Sequence, residues 1–143
     1  MPSPRSRRLT AVILLLAGLS IAPASPRPPG GELTAVAKLA QARYEAALAQ
    51  FDLEWAYFQQ NRTESLHVYY WSRLVLDARR DLGETPADRI AALKNHLVRM
   101  QKMEDLIKRI RRLGFGLSAD VGATRFYRLE AEYWLARAAE EGR

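Results

Sequence analysis

Cysteine is missing from this 143-residue chain. Its absence excludes a disulfide framework, a Cys-ligated zinc or iron–sulfur site and a cysteine nucleophile. Glycine and proline are scarce, at 8 and 7 residues, and most of them gather in two stretches, which argues against a turn-rich β-sandwich or barrel. Histidine occurs twice, as His67 and His96, and neither has a carboxylate at a zinc-ligand spacing such as H-x-x-E-H. There is no G-x-G-x-x-G, no P-loop and no serine in a nucleophile elbow. The sequence therefore gives no support to catalysis, and no cofactor is expected.

What remains is apolar and basic. Lys and Arg number 22 against 16 Asp and Glu, a formal net charge of +6. Part of that charge sits in the first residues. Arg5, Arg7 and Arg8 precede an apolar run from Leu9 to Ala22, and Ala22-Pro23-Ala24 supplies a small–x–small cleavage pattern. Residues 1–24 are thus expected to be a secretory signal peptide, because a membrane-spanning helix needs about 20 apolar residues and this run is cut short at Pro23. Removing its three arginines from the 22 basic residues leaves 19 against 16, or +3. That balance is ordinary for a soluble surface and gives no reason to invoke nucleic acid. The expected compartment is the periplasm or cell envelope. Residues 25–32 (SPRPPGGE), with three prolines and two glycines, are expected to be a flexible tether.

The domain is expected to run from 33 to 141. From Leu33 to Gln60 the apolar positions Leu33, Val36, Ala40, Tyr44, Ala47, Phe51, Trp55 and Phe58 keep a spacing of 3 or 4, which predicts one long helix. Asn61-Arg62-Thr63 interrupts it, Asn61 suiting a left-handed helix end and Thr63 a cap for the next helix. Val68, Trp71, Val75, Ala78 and Leu82 then form an a/d seam. Gly83-Glu84-Thr85-Pro86 reads as a stop followed by a start, with Gly83 beyond the helix end, Thr85 as N-cap, Pro86 at the first helical position and Asp88 at the third. Whether 64–82 and 86–112 are two helices or one bent at Pro86 is open at this level. Ile90, Leu93, Leu97, Met100, Met103, Ile107 and Ile110 continue the period. Leu113 to Leu117 (LGFGL) breaks it, and Ser118 with Asp120 opens a last helix in which Phe126-Tyr127 recurs as Tyr133-Trp134 one heptad later. The fold class is all-α: an elongated antiparallel bundle, or coiled-coil hairpins, of three to four helices.

Four clusters are candidate sites. His96, Met100 and Met103 lie at i, i+4 and i+7 on one helix face, a soft imidazole–thioether set suited to copper(I). The plainer reading makes the two methionines part of the apolar seam, with both histidines on exposed or marginal positions. Trp55, Phe58, Tyr127 and Trp134 are candidate partner-helix contacts, with core packing as the alternative. Glu130 and Glu132, two apart on a helix, diverge and cannot share a substrate, whereas Arg128 and Glu132 are spaced for an ion pair. The run Lys108-Arg109-Ile110-Arg111-Arg112 suits anionic headgroups or an acidic partner, but we favour its role as counter-charge to the helix dipole.

Gly114 with Asp120 six residues on, Val121, Leu129-Glu130-Ala131-Glu132 and Leu135-Ala136-Arg137-Ala138 resemble the coiled-coil hairpin of the outer-membrane efflux factor family. Ala42-Arg43-Tyr44-Glu45-Ala46 is similar to other helical stretches of those proteins. The likeness covers at most about half the chain and implies a helical hairpin attached to an envelope or efflux assembly. Two functions are thus expected in competition. One is an exported, non-enzymatic protein that acts by helix–helix association, with itself or a protein partner and with peripheral envelope contact. The other is a periplasmic metal or ligand binder in envelope stress or metal resistance, using His96, Met100 and Met103.

Overall fold

A computed structural model describes residues 34–83 and 85–142. The expected leader (1–24) and tether (25–32) lie outside the described residues. Four α-helices follow one another: α1 (Ala35–Gln59), α2 (Ser65–Leu82), α3 (Pro86–Arg112) and α4 (Ser118–Glu141), and no strand occurs among the described residues. At 1.5 Å per residue the 25 residues of α1 span about 38 Å. None of these helices is long and apolar enough to cross a membrane.

The boundaries follow local chemistry. Thr34 caps α1 by accepting from the Ala37 amide at 3.1 Å. Asn61, at φ 56°, takes the left-handed conformation past the end of α1 that its short polar side chain tolerates. Thr63 does not cap α2. Glu64 holds that position without a side-chain bond, and the Thr63 hydroxyl pairs with His67 Nδ1 at 2.9 Å. Between α2 and α3 the capping box forms as expected: Asp88 N donates to Thr85 Oγ1 at 3.1 Å and Thr85 N donates to Asp88 Oδ2 at 3.2 Å. Two separate helices result, not one bent at Pro86. Gly83 keeps φ at −83°, so its role differs from the expected left-handed stop. A Cβ there would lie 2.8 Å from the Asp88 Cβ, so glycine is required by close approach. Ser118 is the first residue of α4, not its cap; the Leu117 amide donates to Asp120 Oδ2 at 3.4 Å.

Short connections make successive helices antiparallel. α1 packs on α2, α2 on α3 and α3 on α4, while α2 also touches α4. Val68 and Val75 of α2 meet Met100, Met103 and Ile107 of α3, joined by Ala47, Phe51 and Phe58 of α1 and Ala131 of α4. A smaller cluster of Leu76, Ala92 and Leu93 extends this core, with Trp134 and Leu135 against it. Each large side chain fully removed from water contributes roughly 1.5–3 kcal/mol, and Val68, Met100 and Met103 of the α2–α3 seam are at 0% exposure. α1 starts outside it: Val36 and Leu39 stay exposed. The α1–α2 turn and the α3–α4 loop share one end of the bundle, where Phe58, Ser65, Ile107, Ile110 and Leu117 line a common cleft.

Candidate functional site

His96 sits at the centre of a polar node inside the bundle. Its ring is fully buried, which corrects the expectation of a marginal or exposed position. Arg99 Nε donates to Ser72 Oγ at 2.7 Å, and the Ser72 hydroxyl lies 2.8 Å from His96 Nδ1. The Ser72 oxygen thus bridges the Arg99 guanidinium and ring nitrogen Nδ1, which leaves Nε2 as the other polar atom of the imidazole. That Nε2 is buried with no hydrogen-bond partner. Trp134 stacks on the imidazole at 5.7 Å. Burial, reinforced by the Arg99 and Arg73 charges, pushes the His96 pKa down to about 3. Burial also lowers Arg99, to about 10, which leaves it protonated at neutral pH. His67, by contrast, is exposed at the start of α2 and bonded to Thr63. The α2–α3 pairing places Ser72, not His67, opposite His96.

A second layer joins α2 to α4. Tyr69 stacks on Tyr127 with centroids 4.1 Å apart and donates its hydroxyl to Glu130. Arg73 NH1 donates to the same hydroxyl at 3.2 Å and lies over the Trp134 ring at 4.6 Å. Burial first, and the bond to Glu130 next, raise the Tyr69 pKa. Beside this layer a cleft of about 390 Å³ is lined by Arg73, Arg80, Arg89, Arg137 and Trp134, with Asp77 and Glu141 among them. Glu141 accepts from Arg137 at 2.9 Å.

Glu104 is the residue that sequence reasoning missed. It is 2% exposed in the α3–α4 interface, bonded to Lys108 at 2.9 Å and to Arg128. Arg128 bonds Glu132 as well, at 2.6 Å, which is the i, i+4 pair read from the sequence. Burial alone would raise the Glu104 carboxyl, but the hydrogen bonds from Lys108 and Arg128 outweigh it and hold the pKa below its usual value. Glu130 and Glu132 do diverge, one toward Tyr69 and the other toward Arg128.

The copper-type set shares one buried face: His96, Met100 and Met103 are each 0% exposed. Among the described residues no group of three or more His, Asp or Glu side chains is placed to hold a metal ion. The four aromatic candidates turn inward. Phe58 is in the core, and Trp55, Tyr127 and Trp134 are half-buried against it. The heptad echo on α4 therefore splits. Tyr127 and Trp134 face α2, while Phe126 and Tyr133 are 59% and 60% exposed.

Those exposed rings belong to a continuous outer seam. Gly122, Phe126, Leu129, Tyr133 and Ala136 are all exposed, spaced 4, 3, 4 and 3, on the side of α4 opposite the buried Thr124 and Ala131. With Phe126 and Tyr133 at heptad position a and Leu129 and Ala136 at d, the flanking g positions are Arg125 and Glu132 and the e positions Glu130 and Arg137. The pattern is that of a coiled-coil strand whose partner helix is not among the described residues. No protein-family model, no curated protein and no solved structure matches the chain.

Proposed function

We propose that this chain is an exported, non-enzymatic helical protein of the cell envelope that acts by helix–helix association, with the outer seam of α4 as its docking ridge and a second copy of itself as the first partner. The observation that carries the reading is the exposed run Gly122–Phe126–Leu129–Tyr133–Ala136 on an otherwise amphipathic bundle. Monomeric proteins rarely leave an ordered apolar seam in water. Charge supports self-pairing in one orientation. In a parallel, in-register pair each g residue faces the e residue five positions on in the other helix. Arg125 then meets Glu130, and Glu132 meets Arg137, so all four cross-pairs have opposite sign, added to the bonds that Glu130, Glu132 and Arg137 make with Tyr69, Arg128 and Glu141. The basic, apolar leader supports export, and the resemblance of the α3–α4 hairpin to efflux factors supports a place at an envelope or efflux assembly.

Sedimentation velocity tests the reading. The purified protein is expected to show a concentration-dependent dimer, which Leu129→Arg abolishes while leaving the helical circular-dichroism signal intact. Arg137→Glu should weaken the dimer about fivefold to tenfold by setting like charges across the seam, and Glu132→Arg in the same chain should restore it. A monomer at every concentration would remove self-association through this face.

A second reading, binding of a soft cation such as copper(I), is favoured by one observation: the unpartnered, buried Nε2 of His96 on the α3 face that carries Met100 and Met103. Under this reading a bound equivalent is expected in metal analysis of the purified protein, and copper(I) should bind it more tightly than it binds the His96→Ala variant. Equal affinity for the two would end the metal reading.

A further inference from the structure

The α3–α4 loop holds three large apolar side chains out in water. Leu113 is 73% exposed, Phe115 69% and Leu117 69%. Loops are usually polar, and an apolar loop this exposed is normally slack or covered. This one is neither. Its backbone is stapled: Phe115 N donates to Ile110 O at 3.2 Å, Gly114 N to Arg111 O at 3.0 Å, and the Arg111 guanidinium to Gly116 O at 3.3 Å. Gly114 and Gly116 take φ of 85° and 75°, backbone angles that L-residues adopt at a cost. With these turns on either side of it, Phe115 projects as the middle of a preformed tip.

Cations ring the tip. Arg109, Arg111 and Arg112 are exposed in the last turn of α3, and Arg62 lies in the α1–α2 turn at the same end of the bundle. Behind them a groove of about 510 Å³ between α1 and α3 is lined by Trp55, Lys102, Lys108, Arg109 and Arg112, with Asp105 as its one carboxylate. Two acids line the cleft at this end, Asp120, which accepts from the Leu117 amide, and the exposed Glu64, against four arginines. The dipole accounts for cations in the last turn of α3, but it does not account for bare leucines and a phenylalanine beyond them.

We infer that the LGFGL tip is a membrane-docking site: Leu113, Phe115 and Leu117 enter the interfacial region of an anionic bilayer while Arg109, Arg111, Arg112 and Arg62 contact its phosphate headgroups. Charge complementarity selects this occupant. A neutral bilayer or an apolar protein groove would leave the cationic collar without a partner, and an acidic protein surface would leave the apolar tip in water. Apolar insertion combined with electrostatic attraction is the two-signal arrangement that peripheral membrane binding needs. The inference does not depend on the α4 seam, because the tip residues and the seam residues do not overlap.

Vesicle co-sedimentation of the full protein tests it. Binding is expected to phosphatidylcholine vesicles containing phosphatidylglycerol and not to phosphatidylcholine alone. Phe115→Ser should weaken that binding by roughly tenfold or more, from the buried ring area lost. Arg109→Gln with Arg112→Gln should weaken it roughly 25-fold, at about fivefold per cation. All these positions are exposed, so thermal unfolding should not move. Because the chain has no cysteine, a polarity-sensitive dye on Phe115→Cys reports the tip alone. Its emission is expected to shift to the blue on anionic vesicles, while the same dye on Glu140→Cys, at the far end of α4, stays unshifted. Equal binding to neutral and anionic vesicles would overturn the inference. So would binding indifferent to Phe115→Ser, a shift at residue 140 in place of 115, or full displacement by inorganic phosphate at matched ionic strength.

Discussion

Acidification from pH 6.5 to pH 4 is expected to strip about 3 kcal/mol from the stability of this protein through His96 alone. In the unfolded chain the imidazole takes up its proton near pH 6.5. In the folded chain burial and the Arg99 and Arg73 charges hold the pKa down to about 3. As pH falls through that window the unfolded state binds the proton and the folded state does not, so stability drops by about 1.4 kcal/mol per pH unit. Above pH 6.5 neither state is protonated and the contribution is flat. Urea unfolding between pH 7 and pH 5, where few carboxylates titrate, isolates the effect. The His96→Leu variant should lose the slope. It should change stability little at neutral pH, because losing an unpartnered buried nitrogen offsets the bond the Ser72 hydroxyl loses with Nδ1. A wild-type slope equal to that of the variant would show that His96 is not shielded from protons.

Truncating Glu104 is the second large expected effect. Glu104→Ala should cost about 3 kcal/mol, the low end for breaking a buried ion pair, because Lys108 and Arg128 keep some contact with water. The loss reflects mainly the Arg128 guanidinium left in the α3–α4 interface without its deepest acceptor. Replacing Glu104 and Arg128 together by methionine should therefore cost much less than the single change, since no uncompensated charge is left behind. A double-mutant cycle in urea measures the difference. Additivity of the two changes would mean that the pair is already solvated. The acid limb carries its own signature. The folded-state pKa of Glu104 is depressed, so its contribution is present above the usual carboxylate range and lost as pH falls below it. That window overlaps the lower end of the one set by His96, so below pH 5 the Glu104 limb is read in the His96→Leu variant, which lacks the His96 slope.

The proposed surfaces also fit one geometry. A parallel pair of α4 helices would carry two LGFGL tips at the same end. Dimerisation would then raise membrane avidity without any new contact.

Much of the architecture was legible in the sequence, because helix spacing and terminator chemistry are local properties. The 3–4 spacing of apolar residues set four helical segments with the join at Pro86 left open, and Thr85-Pro86 with Asp88 marked a start that the capping box then formed. Asn61 marked a left-handed end for the same reason. Polar residues at core spacing were harder to read. His96 shares the face of Met100 and Met103, and Glu104 falls four after Met100 and three before Ile107. Spacing alone set His96 at the margin of that face and passed over Glu104, because a lone chain cannot say whether a partner waits inside for a polar group. Ser72 and Arg99 make a neutral buried histidine tolerable, and Lys108 and Arg128 make a buried carboxylate tolerable.

The four segments, their order and their all-α character were thus written in the sequence alone, because a helix needs only its own neighbours and a stripe to bury. Which stripe is buried was decided by tertiary packing. α4 carries two aromatic stripes one residue apart, and local propensity cannot rank them. Contact with Tyr69 and His96 took Tyr127 and Trp134 inward and left Phe126 and Tyr133 in water. The roles of Gly83 and of the LGFGL loop were likewise settled by close approach and hydrogen bonding across elements, which no single helix contains.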